Sequence, residues 1–235
     1  MNALTPLNPA RFDHVTDWVF DLDNTLYPRE CNLFAQIDTL ITAYVMEATR
    51  LEVEAARALQ RVYYRDHGTT LNGLMREHNV DPDHYLARVH AIDYSPVTAR
   101  PDLVAAIANL PGRKFIFTNA DAGHASAVLE RLGGAHLFEA VFDIRSAAYQ
   151  PKPLREAYDA FLRDHGLDPA RAIMFDDLEK NLRVPHDVGM TTVQVVAGKG
   201  FAHEQVADWE LGRGDARAHV HHVTDDLVAF LKDNG

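Results

Sequence analysis

The amino-acid sequence predicts an α/β fold, a doubly wound and mostly parallel sheet with an all-helical insert placed after its first strand. Three observations carry this. From Pro101 onward, short apolar runs of β-forming residues alternate with helical periods, the rhythm of parallel strands joined by crossover helices. A similar run, Trp18-Val19-Phe20, stands far upstream and is too short for a helix. Between them, residues 29–94 show helical periodicity and no convincing strand. The expected division is a core of residues 1–28 and 95–235 and an inserted helical cap of residues 29–94, and 235 residues with 47% hydrophobic content suffice for both.

Taken in order, the first strand ends in Asp21-Leu22-Asp23-Asn24-Thr25. Residues i and i+2 of an extended chain project to one side, so both carboxylates are expected to face one point while Asn24 turns the chain away. In the insert, Leu33, Ile37, Leu40, Ile41 and Tyr44 mark one helix and Val53, Ala56, Leu59, Gln60 and Tyr63 a second. His67-Gly68 stops that helix, Thr69 starts a third with Leu71, Leu74 and Met75 on one face, and Pro82 opens a fourth toward His90. The core then reads as helix 103–110, strand 114–118, helix 124–132 closed by Gly133-Gly134, and strand 140–142. Helix 153–165 follows, with Pro153 at its first position, then strand 172–175, helix 179–188 ended by Gly189, and a final strand 191–196. Gly198-Lys199-Gly200 is too short for a phosphate loop and reads as a turn, Gly212-Arg213-Gly214-Asp215 as a loop, and Thr224 as the cap of a last helix through Leu231.

Charge and composition narrow the partners. With 34 acids against 23 Lys plus Arg the formal charge is -11, which repels nucleic acid and anionic lipid, so neither is an expected partner. Residues 1–13 have neither a basic n-region nor an apolar h-region, and no stretch approaches a spanning length, so secretion and membrane insertion are not expected. The single cysteine, Cys31, makes no internal disulfide, in keeping with a reducing cytoplasm, and reads as a small buried hydrophobe. His219, His221 and His222 lack a matching carboxylate or second His pair at ligand spacing, so a strand end or surface accounts for them more simply than zinc.

Doubly wound sheets bind ligands beyond the carboxyl ends of their strands. The residues there are Asp21 and Asp23, Thr118 and Asn119, and Asp176 and Asp177, with Lys152 before a helix. Each has an ordinary reading, as a turn residue, a helix-start acid or a surface lysine. Together they gather four acids, a hydroxyl and an ammonium on one rim. The acids suit a hard divalent cation such as Mg2+, and Thr118 and Lys152 suit phosphate oxygens. Asn181, four residues after Asp177, is placed to orient that carboxylate.

Asp21-Leu22-Asp23-Asn24-Thr25, Thr118-Asn119-Ala120, Lys152-Pro153 and Asp176-Asp177 with Asn181 resemble, in order, the four motifs of the haloacid dehalogenase-like (HAD) hydrolases, over nearly the whole chain. Residues 20–27, His67-Gly68-Thr69-Thr70-Leu71 with Gly73-Leu74, His90-Ala91-Ile92-Asp93-Tyr94 and Asn181-Leu182 with Val184-Pro185-His186 look like the pyrimidine 5'-nucleotidase branch. The resemblance implies a Rossmann-like core and a phosphomonoesterase working through an aspartyl-phosphate, with Asp21 as nucleophile and Asp23 as general acid and base. It further implies Mg2+ held by Asp21, the backbone carbonyl of Asp23 and Asp177, with Asp176 nearby, and phosphate oxygens held by Thr118 and Lys152 beside Asn119 and Ala120. Substrate choice would lie in the cap, with Tyr27, His67, Thr69, Thr70 and Asn72 as contacts and Tyr63 and Tyr64 available for stacking, although Gly68 and Thr69 equally suit a plain helix end and start. The expected substrate is a small phosphorylated metabolite, a nucleoside monophosphate such as UMP or CMP, on a monomer or homodimer.

Asp23 argues against a dehalogenase, whose halide leaving group needs no proton, and the absence of lysine from residues 29–94 argues against an imine-forming phosphonatase. A sugar-phosphate phosphatase or phosphomutase is the alternative within the superfamily. A non-catalytic phosphate-binding or partner-binding protein is the alternative of another class.

Overall fold

The computed structural model describes residues 12–196 and 218–234. Within them a six-stranded sheet carries helices on both faces, the architecture the sequence predicts. Strand β1 (Asp17–Phe20) lies inside the sheet, between β2 (Arg113–Phe117) and β4 (Ala172–Asp176). Strand β3 (Ala140–Phe142) flanks β2, and β5 (Thr191–Val195) and β6 (His222–Thr224) continue beyond β4. Every pairing is parallel. The order β3-β2-β1-β4-β5-β6 reverses direction between β1 and β4, which makes that pair the switch point where a doubly wound sheet opens a crevice.

Alternation along the strands fills two layers. Trp18, Phe20, Ile116, Ile173 and Phe175 point to one side, where they pack with α5 (Pro101–Ala108), α6 (Ala122–Leu132) and α9 (Leu227–Asn234). Val19, Phe115, Phe117 and Met174 point to the other, against α7 (Arg155–His165). Phe20 faces Phe175 in the register and their rings stack 4.7 Å apart, so the next residue of each chain, Asp21 or Asp176, leaves the sheet beside the other.

The insert forms α1 (Leu33–Thr49), α2 (Val53–His67), α3 (Thr70–His78) and α4 (Pro82–Val89). Tyr44, Val45, Ala56, Tyr63, Leu74 and Leu86 bury a core of their own, which also takes in Ile144 from the loop after β3. Gly73 is required there: a Cβ on it would lie 2.2 Å from Cγ of Tyr63. No helix of the described residues is long and apolar enough to cross a membrane.

Four local expectations change. Pro153 does not open a helix: Lys152 and Pro153 lie in a turn in which Leu154 N–H donates to the Pro151 carbonyl at 2.8 Å, and α7 starts at Arg155. Residues 179–188 split into a 3-10 turn, Glu179–Leu182, and α8 (Arg183–Val188). The strand at 191–195 is not the last, because β6 follows, too short and too exposed at Val223 to show as an apolar run. Thr224 ends β6, and the capping acceptor for α9 is Asp226, whose Oδ1 takes the Ala229 N–H at 3.0 Å. The stretches 198–200 and 212–215 lie outside the described residues.

Candidate active site

At the carboxyl end of the β1–β4 switch point, Lys152 is buried between two carboxylates. Its Nζ lies 2.8 Å from Asp21 Oδ1 and 2.7 Å from Asp176 Oδ2. The backbone around it is fixed by Asn119, whose Oδ1 accepts the Lys152 N–H at 2.8 Å and whose Nδ2 donates to the Lys152 carbonyl at 3.1 Å. Thr25 Oγ1 donates to Asp21 Oδ2 at 3.0 Å, so both oxygens of Asp21 are held. Asn181 Nδ2 donates to Asp176 Oδ1 at 2.9 Å rather than to Asp177, the carboxylate expected from the i, i+4 spacing. The 3-10 turn that carries Asn181 is tighter than an α-helix and aims the amide back at the strand end. Asp177 is paired with Arg29 at 2.5 Å.

Oxygens of Asp21, Asp176 and Asp177 lie within 4.8 Å of one another, and all three residues are buried. Three carboxylates face two cations, Lys152 and Arg29, so one negative charge is uncompensated away from water. Burial, reinforced by Asp176, pushes the Asp177 carboxyl up to about 7 despite Arg29 and Lys152. Burial, with Asp176, Asp177 and Asp23 beside it, likewise raises Asp21 well above the usual carboxylate range, against the pull of Lys152. Burial opposes the charge on Lys152, yet Asp176 and Asp21 hold it above the ordinary lysine value. A hard, all-oxygen donor set with excess negative charge fits a divalent cation such as Mg2+.

Asp23 departs from the expectation that its carboxylate faces the same point as that of Asp21. Strand β1 stops at Phe20 and the chain bends through Asn24 at φ 59°, so the two-residue period does not extend to Asp23. The Asp23 side chain is not in the three-acid group; its Oδ1 accepts from Tyr27 Oη at 2.5 Å and lies 2.7 Å from His124 Nε2. Burial alone would raise Asp23, but the His124 imidazolium and the hydrogen bonds from His124 and Tyr27 win and hold it at about 2. Reciprocally, burial disfavours a charged His124, and Asp23 outweighs it and raises the imidazole.

The side chains expected to meet substrate are mostly engaged within the protein. Tyr27 is buried on Asp23. Asn72 Nδ2 donates to the carbonyls of His67 and Tyr149, and Thr69 Oγ1 caps α3 by accepting the Asn72 N–H at 3.1 Å. Thr70 is buried, and the His67 ring sits 5.8 Å from that of Tyr63. Tyr63 Oη is 2.9 Å from His78 Nε2, and Tyr64 Oη accepts from Lys180 Nζ at 2.8 Å. Thr118 is buried and its Oγ1 accepts the Ala120 N–H at 3.0 Å. The α2–α3 turn nevertheless stands next to Lys152: Gly68, at φ 79°, leaves room for Pro151, whose Cγ would be 2.8 Å from a Cβ there. His219 lies 3.2 Å from Glu179, His221 bonds Thr192 at 3.1 Å, and the His222 ring packs 5.4 Å from Phe12.

Sequence reasoning missed Arg29, Thr25 as a donor, and His124 with its neighbours His90, Tyr94 and Asp121. His124 had a signal. It sits one helical face with Ala125, Val128, Leu129 and Leu132, a lone imidazole on an apolar stripe.

A family model described as haloacid dehalogenase-like hydrolase matches residues 19–189. The glyceraldehyde 3-phosphate phosphatase of Methanopyrus kandleri is 27% identical over 216 residues, covering 83% of this chain and 92% of that protein. Phosphate metabolism protein 8 of Saccharomyces cerevisiae is 24% identical over 192 residues, 73% of this chain and 58% of that longer protein. Among solved structures, the L-2-haloacid dehalogenase from Xanthobacter autotrophicus with chloropropionic acid covalently bound superposes with a TM-score of 0.56 at 16% identity, covering 93% of this chain and 97% of that one. A HAD family hydrolase from Deinococcus radiodurans with bound phosphate and sodium gives 0.52 at 19% identity, covering 92% and 93%. At these identities the structures share the fold.

Proposed function

This chain belongs to the haloacid dehalogenase-like hydrolase family, and from that premise we propose that it is a phosphomonoesterase for a small phosphorylated metabolite, with residues 29–94 as the cap over the site. The observation that supports this reading most is the buried Lys152 bridging Asp21 and Asp176 where β1 and β4 end. An ammonium has three donors, and two are spent on these carboxylates, so the third can take a phosphate oxygen together with the Thr118 hydroxyl and neighbouring backbone N–H groups.

Asp21 attacks phosphorus: its carboxylate oxygen bonds to the phosphoryl group as the ester P–O bond breaks. The departing oxygen takes a proton from Asp23. Bound phosphate supplies that proton affinity, because negative charge beside Asp23 raises a carboxyl that is otherwise held low. Water then gives a proton back to Asp23 and attacks phosphorus, releasing phosphate and restoring Asp21. Asp21, Asp176 and Asp177 are the residues to hold Mg2+, with the Asp23 carbonyl as a further oxygen; the ion supplies screening between the nucleophile and the anionic substrate.

On substrate, the phosphatase relative is named for a triose phosphate, and the side chains available for a nucleobase, Tyr63, Tyr64 and Asn72, are engaged internally. Both favour a small sugar-phosphate-type ester. A pyrimidine nucleoside monophosphate is the second reading, favoured by the α2–α3 turn lying against Pro151 beside Lys152, where a cap would meet a leaving group. A panel of sugar phosphates, UMP, CMP and p-nitrophenyl phosphate, with Mg2+, tests both. Turnover lost in Asp21→Asn is the expected result; an Asp21→Asn enzyme as fast as wild type refutes the mechanism, and the ranking of the panel decides the substrate class.

A further inference from the structure

The bonds around Asp23 all fall on one of its oxygens. Tyr27 Oη and His124 Nε2 both close on Oδ1. Among the described residues no hydrogen bond closes on Oδ2, and the side chain is 25% exposed. His124 has no freedom to do anything else. It is 1% exposed, and its Nδ1 lies 3.0 Å from Tyr94 Oη, which donates its own proton to the His90 carbonyl at 3.0 Å. The Tyr94 oxygen is therefore left to accept from Nδ1–H, which fixes the ring's orientation. The His90 ring packs 4.8 Å from it. The first turn of α6 is pinned by Asp121, which caps it by accepting the His124 N–H at 2.8 Å and is itself held by Arg145 at 3.1 Å, with His90 Nδ1 at 3.2 Å but off hydrogen-bond alignment.

We propose that His124 is a positioning residue for Asp23: with Tyr27 it occupies Oδ1, so that Oδ2 alone carries the exchanged proton and faces the leaving-group oxygen. The proposal rests on the phosphatase reading, in which Asp23 serves as the acid. Its consequence is selective. An alkoxide leaves only with a proton, whereas p-nitrophenolate is stable enough to leave without one, so loss of His124 harms the first and spares the second.

The test follows the first turnover by rapid quench, on p-nitrophenyl phosphate and on the sugar phosphate that the wild type hydrolyses fastest. In His124→Phe, which keeps the ring volume and removes the donor, leaving-group release from the sugar phosphate slows about 100-fold while the p-nitrophenolate burst stays within about threefold. His124→Gln, whose amide N–H reaches toward Oδ1, recovers the sugar-phosphate rate to within about tenfold of wild type. Tyr94→Phe, a milder change that keeps His124, gives the same selective pattern at smaller size. Equal slowing of both substrates, or of neither, overturns the positioning role. Sugar-phosphate release unaffected in Asp23→Asn overturns instead the acid role on which it rests.

Discussion

On the proposed reading a divalent cation sits in the three-acid cluster; removing it exposes the cluster's excess charge, and the structure gives the cost a sign and a size. In the metal-free protein Asp177 sits at about 7 against an ordinary value of 3.8. Its folded value is raised, so between those limits the folded state holds a proton the unfolded chain has already lost, and stability falls as pH rises through that window. Three units at ~1.36 kcal/mol each amount to about 4 kcal/mol, equivalent to roughly 10 °C in Tm for a chain of this size. Asp21, raised for the same reason, adds to the slope. Mg2+ compensates the ionised carboxylates, so its stabilising effect is expected to be small at pH 5 and to grow toward pH 8. Thermal melts at pH 5, 6, 7 and 8, each with EDTA and with Mg2+, measure it, and other titrating groups cancel in the difference. Asp177→Asn flattens the EDTA profile and removes most of the Mg2+ gain. A gain equal at pH 5 and pH 8, or larger at pH 5, refutes the charge argument.

Two substitutions probe the site's buried ammonium and the core of the helical insert. Lys152→Met leaves Asp21 and Asp176 buried without their shared ammonium; urea melts should show a loss of about 3–5 kcal/mol, and the phosphatase assay at least a ~100-fold fall in kcat. Gly73→Ala drives a Cβ to 2.2 Å from the Tyr63 ring, which is tethered through its hydroxyl to His78, and should cost about 1–3 kcal/mol. Most of that cost disappears when Gly73→Ala is made in a Tyr63→Ala background, a coupling read from the double-mutant cycle.

The sheet and its rim were legible in the sequence because both follow from local phase. A short apolar run fixes a strand, and the polar residues that end it are carried to the ligand side by topology alone, so Asp21, Lys152 and Asp176 could be placed together without knowing any contact. Partner choice is another matter. Arg29 meets Asp177 across 148 residues, and neither neighbourhood contains a signal for the other. His124 was visible only as an imidazole on the apolar face of α6, a position that an ordinary core histidine also takes. Tyr27, Asn72 and Asn119, polar side chains beside the motifs that the sequence reading assigned to substrate, also carry bonds within the fold. In the structure they hold Asp23, the Tyr149 carbonyl and the Lys152 backbone. The reason is general: a rim that buries three carboxylates and an ammonium forces backbone polar groups out of water nearby, and each must find a partner in the protein. Polar residues next to such a motif are therefore claimed first by the scaffold, and only donors left over after that pairing, such as the third N–H of Lys152, are available to a substrate.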